Sequence, residues 1–255
     1  MNGIRTGRTV EMIKLPEDIQ DEVKEFLHLY RIKPIKNNDG GMKSPHLFWT
    51  WYLLKTIKPK YVIESGVYKG LGTWVMRQAC PDSCFFCIDP VPEYREYTDA
   101  NAKYFKEDFN NIAWKDYLKP QETVCFFDDH QNAYERLQQM HWMNFKKCIF
   151  EDNYPVSQGD CYSMKKVYAE CGFSVGGKQI INPNSAHRKW VDTNIKEYFE
   201  CPPLWKPSVT RWGDIWDDKN YPTLSGLLTE VSSDELQIFV DEAKFYTWIC
   251  YVELA

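Results

Sequence analysis

Apolar positions along the chain follow first a helical and then an alternating strand-and-helix rhythm. Ile19, Val23, Phe26, Leu27 and Tyr30 recur at the spacing of one helical face. Pro34 ends that helix, and Lys36–Gly41 (KNNDGG) has the turn chemistry of a loop. Ser44-Pro45 predicts a second helix, with Ser44 as its N-cap and Pro45 at the first position, where a missing N–H costs nothing. It runs through Leu53 and Leu54 to Ile57 and stops before Pro59. From there short apolar runs alternate with helical stretches. Tyr61-Val62-Ile63 ends in Glu64 and a glycine turn, and Trp74–Ala79 is helical. Cys84–Ile88 ends in Asp89-Pro90. Val124–Phe127 ends in Asp128-Asp129-His130, before a helix through Ala133, Leu137 and Met140. Cys148–Phe150 ends in Glu151-Asp152, before a helix from Ser163 to Cys171. This predicts an α/β, doubly wound, mostly parallel sheet covered on both faces.

The ends of the chain fit that scheme less directly. Phe245–Leu254 predicts a late strand added at the sheet edge, while Asp234–Ala243 suits either a helix or the other half of a hairpin. Residues 176–229 break the rhythm, with five Pro and with Trp190, Trp205, Trp212 and Trp216 among polar neighbours. We read that stretch as a Trp-rich insertion over the working edge of one domain, residues 44–255, preceded by a helical arm, residues 1–43. The arm is a candidate contact for a second copy of the chain.

Composition removes several classes of function. The 31 Lys and Arg against 36 Asp and Glu give a net charge of −5, so no basic field is present to hold a nucleic-acid backbone. No apolar run approaches the length of a membrane span, and Met1–Val10 lacks the apolar core of a secretory signal. Nine Cys, an odd number without framework spacing, suit reduced thiols in a cytoplasmic compartment. Cys84 and Cys87 lie within a strand with no second pair, which argues against a metal or redox site. The aromatic content of 16%, with ten Trp, serves either stacking surfaces or a Trp-rich core.

In an open α/β sheet ligands bind beyond the carboxyl ends of the strands, and here four of those ends carry acids: Glu64, Asp89, Asp128-Asp129 and Glu151-Asp152. A single Asp in that position is usually a helix cap; four acidic ends are harder to explain that way. Glu64-Ser65-Gly66-Val67-Tyr68-Lys69-Gly70-Leu71-Gly72-Thr73 is a glycine turn that lets backbone approach a ligand. Its leading acid disfavours phosphate, and its glycines are not spaced for a dinucleotide. A cofactor with a positive amino group and no phosphate, such as S-adenosylmethionine, suits it. Asp89, 25 residues beyond Glu64, stands where an acid accepts both hydroxyls of a ribose. Glu64, Ser65, Gly66, Gly70, Thr73 and Asp89 are therefore the candidate cofactor residues. Asp108 is either a contact for the adenine edge or a plain solvated acid. If the strands ending at Phe127 and Phe150 pair in parallel, their terminal acids converge and repel unless a cation sits among them. Hard oxygen donors favour magnesium, with manganese or calcium as alternatives.

These residues resemble the class I S-adenosylmethionine-dependent methyltransferases. VIESGVYKG, with Met76-Arg77 in the helix after it, is similar to the macrocin-type sugar O-methyltransferases. CFFDDHQNAYERL and CIFEDNYP are closer to the group named for cephalosporin hydroxylase, which includes rhamnosyl O-methyltransferases. The resemblance covers about Ser44 to Gly172 and implies a Rossmann-like methyltransferase sheet. It also implies a metal held by Asp128 or Asp129 together with Glu151 and Asp152. In that family two residues separate the Asp from the following His; here Asp128-Asp129-His130 are contiguous, which leaves open which Asp is the ligand.

His130 is the candidate general base, beside Asp129, because an imidazole titrates near neutrality. His187 is a second candidate, whereas His28, His46 and His141 read as ordinary helix residues. The expected reaction is methyl transfer to a hydroxyl of a small-molecule or glycan acceptor, with sugar favoured because indole faces such as those of Trp205 and Trp212 pack against a pyranose. Two alternatives stay open. One is a metal-independent methyltransferase acting on a small molecule or protein; the other is a non-catalytic cofactor-binding partner subunit.

Overall fold

Each buried strand of this chain has apolar side chains on both faces, and that fixes its place between two helical layers. The computed structural model describes Ile13, Leu15 and residues 19–230 and 234–255. The Met1–Val10 expectation and the start of the 1–43 arm lie outside the described residues. Helices α1 (Ile19–Ile32) and α2 (Ser44–Ile57) lead into β1 (Tyr61–Ser65), α3 (Leu71–Ala79), β2 (Cys84–Ile88) and β3 (Ala102–Phe105). Then come β4 (Thr123–Phe127), α4 (Ala133–Trp142), β5 (Lys147–Phe150) and α5 (Met164–Tyr168). A small hairpin, β6 (Phe173–Val175) and β7 (Lys178–Ile181), precedes α6 (Ser185–Asn194) and β8 (Ile195–Glu200). The chain closes with α7 (Gln237–Asp241) and β9 (Cys250–Leu254).

Seven strands form one sheet in the order β3-β2-β1-β4-β5-β9-β8. β1 to β5 pair in parallel, and β9 runs antiparallel to both of its neighbours. This is a doubly wound, Rossmann-like sheet whose order reverses between β1 and β4, the point where such sheets open a crevice. Alternation divides the core in two. Val62, Phe85, Val124, Phe126 and Ile149 face α1, α2 and α3. Ile63, Phe86, Cys125, Phe127 and Phe150 face the layer of α4, α5 and α6.

Four sequence expectations change. The last strand is not at the edge: β9 lies between β5 and β8, because Cys250, Tyr251, Val252 and Leu254 are all buried, as an inner strand requires. β8, half exposed along its length, takes the edge. The strand also starts later than Phe245, which belongs to a 3-10 turn (Ala243–Phe245). Asp234–Ala243 resolves as helix. Of residues 176–229, those up to Glu200 supply β7, α6 and β8, and the irregular part that follows packs Trp216 and Arg211 against Trp248 and Tyr154.

The fourth change concerns the start of α2. Lys43, not Ser44, occupies the N-cap position, and the Ser44 hydroxyl is buried without a partner. Glu242 from the far end of the chain accepts the Ser44 N–H at 2.8 Å and the Tyr30 hydroxyl at 3.0 Å. A carboxylate at the positive end of the helix replaces the local cap. The apolar face of α1 is spent within the chain: Val23, Phe26, Leu27 and Tyr30 are buried, and Phe26 meets Phe48 edge-on at 5.5 Å. Phe26→Ala is therefore expected to cost about 3–5 kcal/mol, as for a buried ring. Urea denaturation should show a lower midpoint with an unchanged slope; a loss below about 1 kcal/mol would mean α1 is a loose arm.

Candidate functional site

The parallel ladder continues past the strand ends and brings the loops together. The Gly66 N–H donates to Ile88 O, Asp128 N–H to Ser65 O at 2.8 Å, and Glu151 N–H to Phe127 O. Gly66 has φ +95°, and a Cβ there would lie 2.0 Å from the Asp128 carbonyl oxygen, so no other residue fits this crossing. Gly70, with φ +91° at the start of α3, would place a Cβ 2.4 Å from the Tyr97 carbonyl oxygen. The turn after β1 is thus clamped between the loops after β4 and β2. Asp89 accepts the Val91 N–H through Oδ1, while its buried Oδ2 has no partner. That free acceptor suits a ribose diol.

Glu64 lies deeper than a strand-end ligand would. It is fully buried and accepts the Thr73 hydroxyl at 2.5 Å, and its Oε1 is unpartnered. Burial pushes its carboxyl up to about 8, so it is largely neutral at pH 7. Between about pH 4.5 and 8 the folded state then holds a proton that the unfolded chain has lost, so stability falls as pH rises through that window. Glu64→Gln should raise the melting temperature at pH 8.5 by about 2–6 °C and leave it unchanged at pH 4, below both values. An equal shift at both pH values would show that the carboxyl's charge is not what matters.

The acids after β4 and β5 divide into two sets. Glu151 and Asp129 are already neutralised. His46 Nδ1 lies 2.9 Å from Glu151 Oε1, both side chains being about 5% exposed. The imidazole's Nε2 meets the Phe245 carbonyl. Nδ1 cannot both donate to Glu151 and accept from Lys43 N–H at 3.3 Å, and the shorter contact to the acid decides. Burial opposes charge on His46, but Glu151 and the Phe245 carbonyl outweigh it and raise its pKa. Glu151 is likewise pushed up by burial and pulled further down by His46, to about 2. Asp129 accepts the Ser65 hydroxyl at 2.7 Å and pairs with Arg136 at 2.9 Å. The same buried guanidinium clasps Asp108 at 2.6 Å, so Asp108 is a held acid and not a freely solvated one.

Asp128 and Asp152 have no such internal cation. Burial raises Asp128 well above the carboxylate range, with repulsion from Glu151 and Asp152 adding to it. Burial and then Glu151 raise Asp152 to about 7. Their carboxylates gather with His130 so that one donor atom from each lies within 4.8 Å of the others. His130, 58% exposed and in the left-handed region at φ +54°, places Nδ1 2.9 Å from Asp152 Oδ2 and 3.3 Å from Asp160 Oδ1. The Asp152 contact is an ion pair without hydrogen-bond alignment, and Oδ2 has no other partner. Contacts to Asp152 and Asp160 lift His130 to about 11. None of these acids caps α4; Asn132 does, accepting the N–H groups of Tyr134 and Glu135. The helix-cap explanation for them is removed.

Two oxygen donors held against their own repulsion, one half-buried and one buried, with an imidazole at the opening, fit a divalent cation. Asp128 and Asp152 join His130 there, whereas Glu151 stands beside them with its charge already met. Such an ion must displace protons from Asp152 and His130, so its affinity should rise with pH between 6 and 8. Calorimetry with magnesium in buffers of different ionisation enthalpy should show release of at least one proton per ion; a buffer-independent heat would contradict this.

Four participants escaped sequence reasoning. His46 gave a signal, as a titratable residue in an otherwise apolar helix, and reading it as an ordinary helix residue is corrected here. Arg136 lies on the buried stripe of Ala133 and Met140. Asp160 and Thr247, which donates to Glu151 O at 2.7 Å, carried no local signal. The proposed substrate residues scatter. His187 stacks on Tyr134 at 4.0 Å and meets the Tyr162 hydroxyl in the α4–α6 layer. Trp205 packs partly buried against the other core layer, and Trp212 is 64% exposed on the loop beyond β8.

No protein-family model and no curated protein matches the chain. Among solved structures, CmcI with Mg-SAM is 17% identical over 47% of this chain at a TM-score of 0.37, the chain spanning 58% of that protein. The CmcI apo-structure is 13% identical, covering 77% of this chain and 81% of its own, at 0.43. An O-methyltransferase from Bacillus cereus in complex with SAH is 8% identical, covering 95% and 93%, at 0.48. Such identities and scores say nothing about activity, and the fold rests on the strand order itself. No helix of the described residues is long and apolar enough to cross a membrane.

Proposed function

We propose that the chain transfers a methyl group from S-adenosylmethionine to a hydroxyl of a sugar or glycan, with a divalent cation, magnesium first, at Asp128 and Asp152. One observation carries the reading: half-buried Asp128 and buried Asp152, without an internal cation, end strands next to the glycine turn after β1, and on its other side β2 ends in Asp89, whose Oδ2 is buried and unpartnered. Gly66 lets the turn after β1 pass against the Asp128 carbonyl, which ties the cofactor turn to the acid loop. Asp89 accepts ribose hydroxyls, and Arg136 holds Asp108 and Asp129 so that the loops after β1, β3 and β4 form one floor. When bound, the sulfonium supplies an activated methyl and the cation lowers the pKa of a hydroxyl it holds. His130 Nδ1 stands at the opening as the group that takes the acceptor proton. It can do so only once the charges of Asp152 and Asp128 no longer retain its own. Asp129, bound to Ser65 and Arg136, positions this loop.

A metal-independent methyltransferase is the second reading, favoured by the His130 imidazolium, which already compensates Asp152 and Asp160. Calorimetric titration of S-adenosylhomocysteine with and without magnesium separates the two. Asp89→Ala should weaken the nucleoside at least about ten-fold, the scale of a hydrogen bond to a charged group. Asp128→Asn should abolish the magnesium heat and leave nucleoside binding in place. Binding without any magnesium response selects the metal-independent reading, and no nucleoside binding overturns methyl transfer.

A further inference from the structure

One buried cation takes no part in the site described above. Lys166, in α5, is 2% exposed, and burial lowers its pKa. Its Nζ donates to the Cys161 carbonyl at 2.6 Å and lies 4.7 Å from the centre of the Phe173 ring. The carbonyl takes one of the three ammonium protons, and the ring face meets part of the charge. Among the described residues no carboxylate stands within ion-pair distance of Lys166, and Asp160 and Asp152 act on it only from further away. Its neighbour Lys165 shows the usual arrangement, pairing with Glu200 at 2.6 Å. A buried ammonium without such a partner is unusual, because its charge is left largely uncompensated.

Lys166 also lines a cleft of about 140 Å³ between the Val156–Gly159 loop and the chain from Cys171 to Ser174. That is room for several waters. No acid lines the cleft, although the chain holds 36 Asp and Glu, while Ser157, Gln158 and Ser174 make its walls polar. We propose that this cleft binds a small oxyanion, a carboxylate or a phosphate, seated on Lys166. The anion supplies the missing negative charge and takes the ammonium protons that the Cys161 carbonyl leaves free. The inference goes beyond methyl transfer and holds whether or not the chain performs it. One wall of the cleft runs on to Asp160, which lies 3.3 Å from His130, so a bound anion would also brace the loop at the opening of the acid pair.

The test is an NMR titration of the full chain without magnesium, using sodium phosphate in one series and sodium acetate in the other, with ionic strength held constant by chloride. Saturable shifts are expected at Lys166 and at the backbone amides of Gly159, Gly172 and Ser174. A response to phosphate alone assigns a phosphate site, a response to acetate alone a carboxylate site, and a response to both a site for either group. Lys166→Met keeps the length of the side chain without its charge and should weaken binding at least about ten-fold. Resonances away from the cleft that match the parent's will show that this variant is folded. Ser174→Glu places a like charge at an exposed position of the lining and should weaken binding several-fold; it decides alone if Lys166→Met does not fold. No saturable shift at the cleft with either anion, or an affinity that is the same in the folded variants as in the parent, overturns the proposal.

Discussion

Buried negative charge at the ends of two adjacent parallel strands is the constraint around which this molecule is arranged. Asp128, Glu151 and Asp152 are brought together by the register of β4 and β5, Asp128 half-buried and the other two buried. At an effective dielectric constant of about 20, each pair of carboxylates within about 5 Å repels by roughly 3 kcal/mol. Few folds carry such a cost without compensation, and here it comes from distant parts of the chain. His46 arrives from the second helix to neutralise Glu151, and Arg136 from the fourth neutralises neighbouring Asp129. Asp128 and Asp152 receive only His130, a side chain on a surface turn. Permanent interior cations for two acids, and a removable one for the other two, make a site able to exchange its positive charge.

The frame that supports this is ordinary in its energetics. Two apolar layers clamp a sheet whose inner strands are buried on both faces, and the loops inherit their positions from the ladder. Gly66 shows how tight the inheritance is: the turn after β1 passes so near the Asp128 carbonyl that only a hydrogen atom fits between them. Moving that turn would move the acid with it. The cofactor side and the ion side of the crevice are thus one piece of backbone geometry.

How much of this could be read in advance depended on whether the signal was local. β1, β2, β4 and β5 announced themselves as apolar runs ending in acids, and their parallel pairing followed from the helices between them. β8 was hidden because its half-buried pattern, IKEYFE, lacks the apolar density of a central strand. β9 was visible as a strand but misplaced, since an apolar run says that both faces are covered and not by which neighbour. The acids of the site were legible one by one, but the partner of each was not. His46 and Glu151 are separated by about a hundred residues, and only the packing of α2 against the sheet and Phe245 makes them a pair. Ser44 looked like a cap because caps are local; Glu242, far along the chain, does that work.

The stretch from Glu242 to Trp248 joins these separate features. Glu242 receives the Ser44 N–H and Tyr30, the Phe245 carbonyl receives His46, and Thr247 donates to the Glu151 carbonyl. The Thr247 carbonyl in turn accepts the Asn153 N–H, and Trp248 is buried in an aromatic cluster with Tyr154, Tyr246 and Trp216. One short segment therefore holds the first two helices, braces the charged interior of the site and anchors the aromatic cluster. Because its anchors are spread over the whole length of the chain, the N-terminal helix cannot loosen without releasing Glu242, and through it the backbone that carries Phe245. A position as remote from the chemistry as Tyr30 is in this way mechanically continuous with Glu151, and the integrity of the crevice is a property of the complete fold.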